Sequence, residues 1–88
     1  MNIQEIRKLT KGKKLSFYDS WNSHQIGITI ETAHRGERET IFSGINQWGK
    51  NDRIYITNHL VDKLLRTGEA QEAQTIEYCT VIKRYRID

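Results

Sequence analysis

The chain has 88 residues, of which 36% are hydrophobic, with a mean hydropathy of −0.72 and a formal net charge of +3. Those bounds describe a single small domain over residues 1–88, whose limited core leaves room for a homodimer interface. They exclude a membrane-spanning helix, because no apolar run approaches the roughly 20 residues that a bilayer requires.

Asn2 followed by Glu5 reads as an N-cap with its capping-box partner, and Ile3, Ile6 and Leu9 recur at helical spacing. A helix over Ile3–Lys11 is expected, ended by Gly12. Lys14–Tyr18 reads as a first strand with Leu15 and Phe17 inward, and Asp19–His24 as a polar loop carrying Trp21. Ile26, Ile28 and Ile30 alternate with Gly27, Thr29 and Glu31, the clearest half-buried strand in the chain. Ala33–Gly36 then turns, and Glu37–Phe42 alternates again to complete a hairpin. A loop over Gly44–Asp52 holds Trp48, and Arg53–Thr57 is a further strand.

Leu60, Val61, Leu64 and Leu65 form the apolar stripe of a second helix over Asn58–Thr67, capped by Thr57 or Asn58 and ended by Gly68. Glu69–Gln74 reads as a polar connection, and the closing stretch, TIEYCTVIKRYRID, as one long strand from Thr75 to Asp88. The predicted order is α-β-β-β-β-α-β: an α+β domain with a mostly antiparallel sheet of about five strands and helices on one face.

Charge is concentrated at the two ends. Residues 1–14 set Arg7, Lys8, Lys11, Lys13 and Lys14 against Glu5, residues 83–88 set Lys83, Arg84 and Arg86 against Asp88, and the middle is mildly acidic. If the fold joins the ends, they make one basic patch suited to phosphates or to an acidic protein surface. Tyr85 lies between Arg84 and Arg86 as a candidate stacking ring. Trp21 and Trp48, both in expected loops, either stack on bases and anchor a partner or fold back over a small core.

Other chemistry is poorly provided for. His24, His34 and His59 share no short spacing, and with Cys79 they make no zinc motif. Neither glycine-rich phosphate-loop pattern occurs, and no cofactor is implied. The lone Cys79 is expected inside a strand and fits a reduced, cytoplasmic setting. The charged, amphipathic N-terminus does not read as a signal peptide.

The leading functional expectation is a small basic module that binds nucleic acid, DNA or RNA, through the N-terminal helix and the C-terminal strand. An inhibitor or adaptor that binds a nucleic-acid-processing host enzyme is the second reading. In size and style the chain is similar to small phage and mobile-element products, and no motif specifies a family. The third reading is a metal-free ribonuclease using His34, Arg35, Glu37 and Arg38, with Arg84 and Tyr85 supplied by the last strand.

Overall fold

The expected capping of the first helix is present: Asn2 Oδ1 accepts the Glu5 N–H at 2.9 Å, and α1 runs over Ile3–Thr10. The computed structural model describes every residue from Met1 to Asp88. After α1 the chain forms β1 (Lys14–Asp19), β2 (His24–Arg35), β3 (Glu39–Asn46) and β4 (Asn51–Thr57). Helix α2 (Asn58–Thr67) follows, then β5 (Glu69–Ile76) and β6 (Cys79–Ile87). All six strands join one sheet in the order β4-β3-β2-β1-β6-β5, and every neighbouring pair is antiparallel.

The sheet therefore has six strands where about five were expected, and the difference lies at the C-terminal end. Glu69–Gln74 is not a connection. With Thr75 and Ile76 it forms β5, paired along its whole length with β6 from Glu69↔Arg86 to Ile76↔Cys79. The residues between them, Glu77 and Tyr78, make a two-residue turn with φ of 48° and 67°. Positive φ at both positions is the geometry that matches hairpin twist, and it normally calls for asparagine or glycine. The other strands run longer than their sequence patterns, because pairing carries them through polar residues such as His24, Ser43 and Asn51.

Alternation along the strands divides the sheet into two faces. Leu15, Ile28, Ile30, Phe42, Ile54, Ile56, Ala70, Tyr85 and Ile87 lie on one face, in a cluster of 14 buried residues that also takes Ile6 from α1 and Leu60, Val61 and Leu64 from α2. Burying such side chains contributes about 1.5–3 kcal/mol each and holds helices too short to persist alone. Gly44 sits opposite Ile30 at a close approach of β3 to β2, where a Cβ would stand 2.7 Å from the Thr29 carbonyl carbon. The opposite face carries Lys14, Ser16, Tyr18, Gln25, Thr29, Ile41, Ile45, Tyr55, Arg84 and Arg86, none of them buried. No helix is long and apolar enough to cross a membrane.

Strand direction sorts the connections between the two ends of the sheet. The β1–β2, β3–β4 and β5–β6 turns share one end; the β2–β3 turn, the junctions of both helices and the C-terminus share the other. Register also staggers the first three. Asn46, the last residue of β3, is level with Ile28, four residues short of the Asp19↔His24 pair that closes β1–β2. Asp19 is in turn level with Lys83, four residues short of Cys79 at the tip of β6. At about 3.3 Å per residue each step is about 13 Å, so the tips climb diagonally from β3–β4 to β5–β6.

Candidate functional site: a basic strip leading to three hairpin tips

The two basic ends of the chain meet. Strand β6 lies beside β1 with Ser16 opposite Arg86 and Tyr18 opposite Arg84, and the Asp88 N–H donates to the Lys14 carbonyl at 3.1 Å. Lys14, Tyr18, Arg84 and Arg86 consequently occupy neighbouring positions on the uncovered face. Lys11 and Lys13, both exposed, continue the charge at the foot of β1. The backbone there is tied to β2, with the Gly12 N–H bonded to the Ile30 carbonyl at 2.8 Å and the Ile30 N–H to the Lys13 carbonyl at 2.9 Å.

Within the strip, the Arg84 Cζ stands 5.8 Å from the centre of the Tyr18 ring, a cation–π contact between neighbours on the open face. Arg86 pairs with Glu69 at 2.8 Å, but both side chains are about two-thirds exposed, and such a pair yields readily to a stronger anion. Ser16, Tyr18, Gln25, Gln71, Arg84 and Arg86 line an open depression. The same depression also takes in Phe17, Ala70 and Tyr85, which alternate to the core face, and Lys63 and Thr67 of α2.

Several expected site residues lie elsewhere. Tyr85 is 4% exposed and its ring stacks on Phe17 at 5.2 Å, so it belongs to the core and not to a binding surface. Its neighbours Arg84 and Arg86 face out because a strand alternates, which a linear reading of Arg-Tyr-Arg as one cluster overlooks. Burial first, then the carboxylates of Glu72, Glu39 and Asp19, push the Tyr85 phenol well above the ordinary tyrosine range. Lys83 shares Tyr85's face, in register between Asp19 and Glu72. Arg7 is half-buried and turned to β2, its Nε donating to the Ala33 carbonyl at 2.7 Å and its Nη2 lying 3.4 Å from His34 Nδ1. Lys8 is exposed on α1.

His34, Arg35, Glu37 and Arg38 of the ribonuclease reading stay together at the β2–β3 turn, but Arg84 and Tyr85 are not brought to them. Arg84 is level with Tyr18 and Gln25, nine residues along β2 from His34, or about 30 Å of strand. Cys79, expected inside a covered strand, is exposed because β6 begins there, at the hairpin tip.

Both tryptophans stand on the end that holds the three tips, 48% exposed for Trp21 and 64% for Trp48. Each loop is ordered by the same device. Asp19 Oδ1 accepts the Trp21 N–H at 2.9 Å, and Asn46 Oδ1 accepts the Trp48 N–H at 2.9 Å and the Lys50 N–H at 3.0 Å. These are Asx turns, in which a side chain replaces a backbone acceptor two residues back. The sequence signal is an Asx residue two positions before each tryptophan, Asp-Ser-Trp and Asn-Gln-Trp. Gln47 adds a brace to β2, its Oε1 accepting the Gly27 N–H at 2.9 Å and its Nε2 donating to the Gln25 carbonyl at 3.2 Å. The third tip carries Tyr78, whose exposure of 104% leaves it without contacts to its own chain.

Tyr18 and Tyr78 join the candidate site from the structure. Tyr18 was legible, because Phe17 inward places its neighbour outward. Tyr78 was not, because the turn that presents it lacks the residues that normally mark one. The chain matches no family model, no characterised protein and no solved structure.

Proposed function

We propose that the protein binds single-stranded nucleic acid along the open face of β1 and β6. Phosphates lie on Lys11, Lys13, Lys14, Arg84 and Arg86, and a base lies against Tyr18. The observation that carries this reading is the β1–β6 register, which puts cations from both ends of the chain on one uncovered face around an aromatic ring. A positively charged groove with a stacking ring is the minimum for strand binding without sequence preference. The ring favours a single strand over a duplex, whose bases are already stacked on each other.

Five phosphate contacts on a single strand give a salt slope of about −3.5, so affinity falls about 100-fold between roughly 50 and 200 mM salt. Fluorescence anisotropy with labelled single-stranded DNA and RNA measures it. In the Arg84→Ala, Arg86→Ala double variant the slope becomes shallower by about 1.4, two contacts' worth. Absence of a complex with either nucleic acid at low salt ends this reading and returns the surface to a protein partner.

A further inference from the structure

Tyr78 stands where the fold itself would favour another residue. Its φ of 67°, like the 48° of Glu77, lies in the left-handed region, where a Cβ crowds the following carbonyl and glycine or asparagine is preferred. Its ring touches nothing in its own chain, so tertiary packing gives no compensation. The turn is nevertheless firmly placed. The root of the β5–β6 arm is clamped where the Ser20 N–H donates to the Ile82 carbonyl at 3.0 Å and the Ile82 N–H donates to Ser20 Oγ at 2.8 Å. Val81, 1% exposed, is buried beside the clamp. A rigid arm with a conformationally disfavoured, contact-free aromatic at its tip is built to meet something outside the chain.

The other two tips at this end present aromatics in the same way. Trp21 lies just beyond the Tyr18 end of the basic strip, because Asp19 is the last residue of β1. Successive tips are about two strand spacings apart across the sheet and about 13 Å apart along it, so neighbouring tips are about 16 Å apart on a diagonal. Rings on tips so far apart cannot cover one another. Each is free to take its own base, with intervening nucleotides spanning the gap.

We propose that Trp48, Trp21 and Tyr78 form a row of base-stacking platforms for an unpaired strand whose phosphates occupy the basic strip, and that Tyr78 is retained for that contact against the preference of its turn. The proposal rests on the nucleic-acid reading above and deepens it, naming unpaired bases as the ligand of the tips. Continuity of the Trp21 tip with Arg84, and of the Trp48 tip with Lys14 through Thr29 and Ile45, selects a polyanion over an apolar protein surface as the occupant.

Both tryptophans of the chain lie in the row, so its intrinsic emission is a direct reporter. Wild-type protein is titrated at low salt with an oligothymidylate of about 15 nucleotides, a length within single-domain site sizes. Anisotropy of the end-labelled strand and tryptophan emission are followed together. The expected result is quenching that tracks the anisotropy, with a duplex of equal length bound more weakly.

Tyr78→Gly is expected to raise Tm by about 5 °C while weakening binding about tenfold, and Tyr78→Trp to keep wild-type affinity. Anisotropy without quenching overturns the row and leaves the basic strip standing. So does unchanged affinity in Tyr78→Gly, a lowered Tm in that variant, or equal affinity for duplex. No anisotropy change in the wild-type protein overturns both.

Discussion

At the end of the sheet that holds the β2–β3 turn, polar side chains are spent on the backbone. Asn58 accepts from Thr40 Oγ1 at 2.8 Å and donates to the Gly36 and Glu37 carbonyls at 3.1 and 3.3 Å, while Arg7 Nε donates to the Ala33 carbonyl. At the opposite end, Asp19 and Asn46 order their own loops and hold a tryptophan out into solvent. The same residue types thus do opposite work. One end uses hydrogen bonds to close the fold over its helices, and the other uses them to display aromatic rings. Polar side chains are committed internally at both ends, and what sets the second apart is the exposed rings of Trp21 and Trp48 that those bonds leave in solvent.

That contrast can be broken most forcefully at Asn58. Asn58→Ala removes three side-chain hydrogen bonds and leaves the hydroxyl of Thr40, 0% exposed, without its partner. A loss of about 3 kcal/mol in unfolding free energy is expected by urea denaturation. A loss below about 1 kcal/mol removes the claim that this end is held by its polar clamps.

A second test addresses the buried side of β6. Because the folded state holds the Tyr85 phenol protonated above its ordinary range, its contribution is fully present below the unfolded value near 10 and declines as pH rises past it. Stability is expected to fall by up to about 1.4 kcal/mol per pH unit there, with that part of the slope absent in Tyr85→Phe. Identical alkaline profiles for both proteins place Tyr85 with the exposed tyrosines and undo the distinction between the two faces of β6.

The smallest stability effect is expected at the tips. Trp21→Ala and Trp48→Ala each change unfolding free energy by less than about 1 kcal/mol, since neither ring belongs to the core cluster. Thermal or urea unfolding of each variant checks this. A larger loss makes the ring a cap on the core and shifts that tip to the structural side of the comparison.

Both helices were legible because their signals are local. Asn2 with Glu5 starts α1, Leu60, Val61 and Leu64 supply the buried stripe of α2, and Gly68, with φ of 85°, ends it. Strand alternation was equally plain in Ile26, Ile28 and Ile30. Strand β5 was hidden because Glu-Ala-Gln-Glu-Ala-Gln has no apolar alternation or β-branched run of its own, and it is a strand only because β6 lies beside it. The joining of the basic ends was legible as a condition and not as a fact, since it depends on β6 returning next to β1.

From the closing residues, sequence alone determined composition and parity: Arg84 and Arg86 on one side of a strand, Tyr85 on the other. Tertiary structure decided which side is core, because Phe17 of β1 meets Tyr85 there at 5.2 Å, and which cations share a face. It also decided that Trp48, Trp21 and Tyr78 share one end, a consequence of strand order and direction. Local patterns are set by neighbours within a few residues. Pairing between segments as distant as β1 and β6 is set by the burial of a common core, which no stretch of the chain specifies by itself.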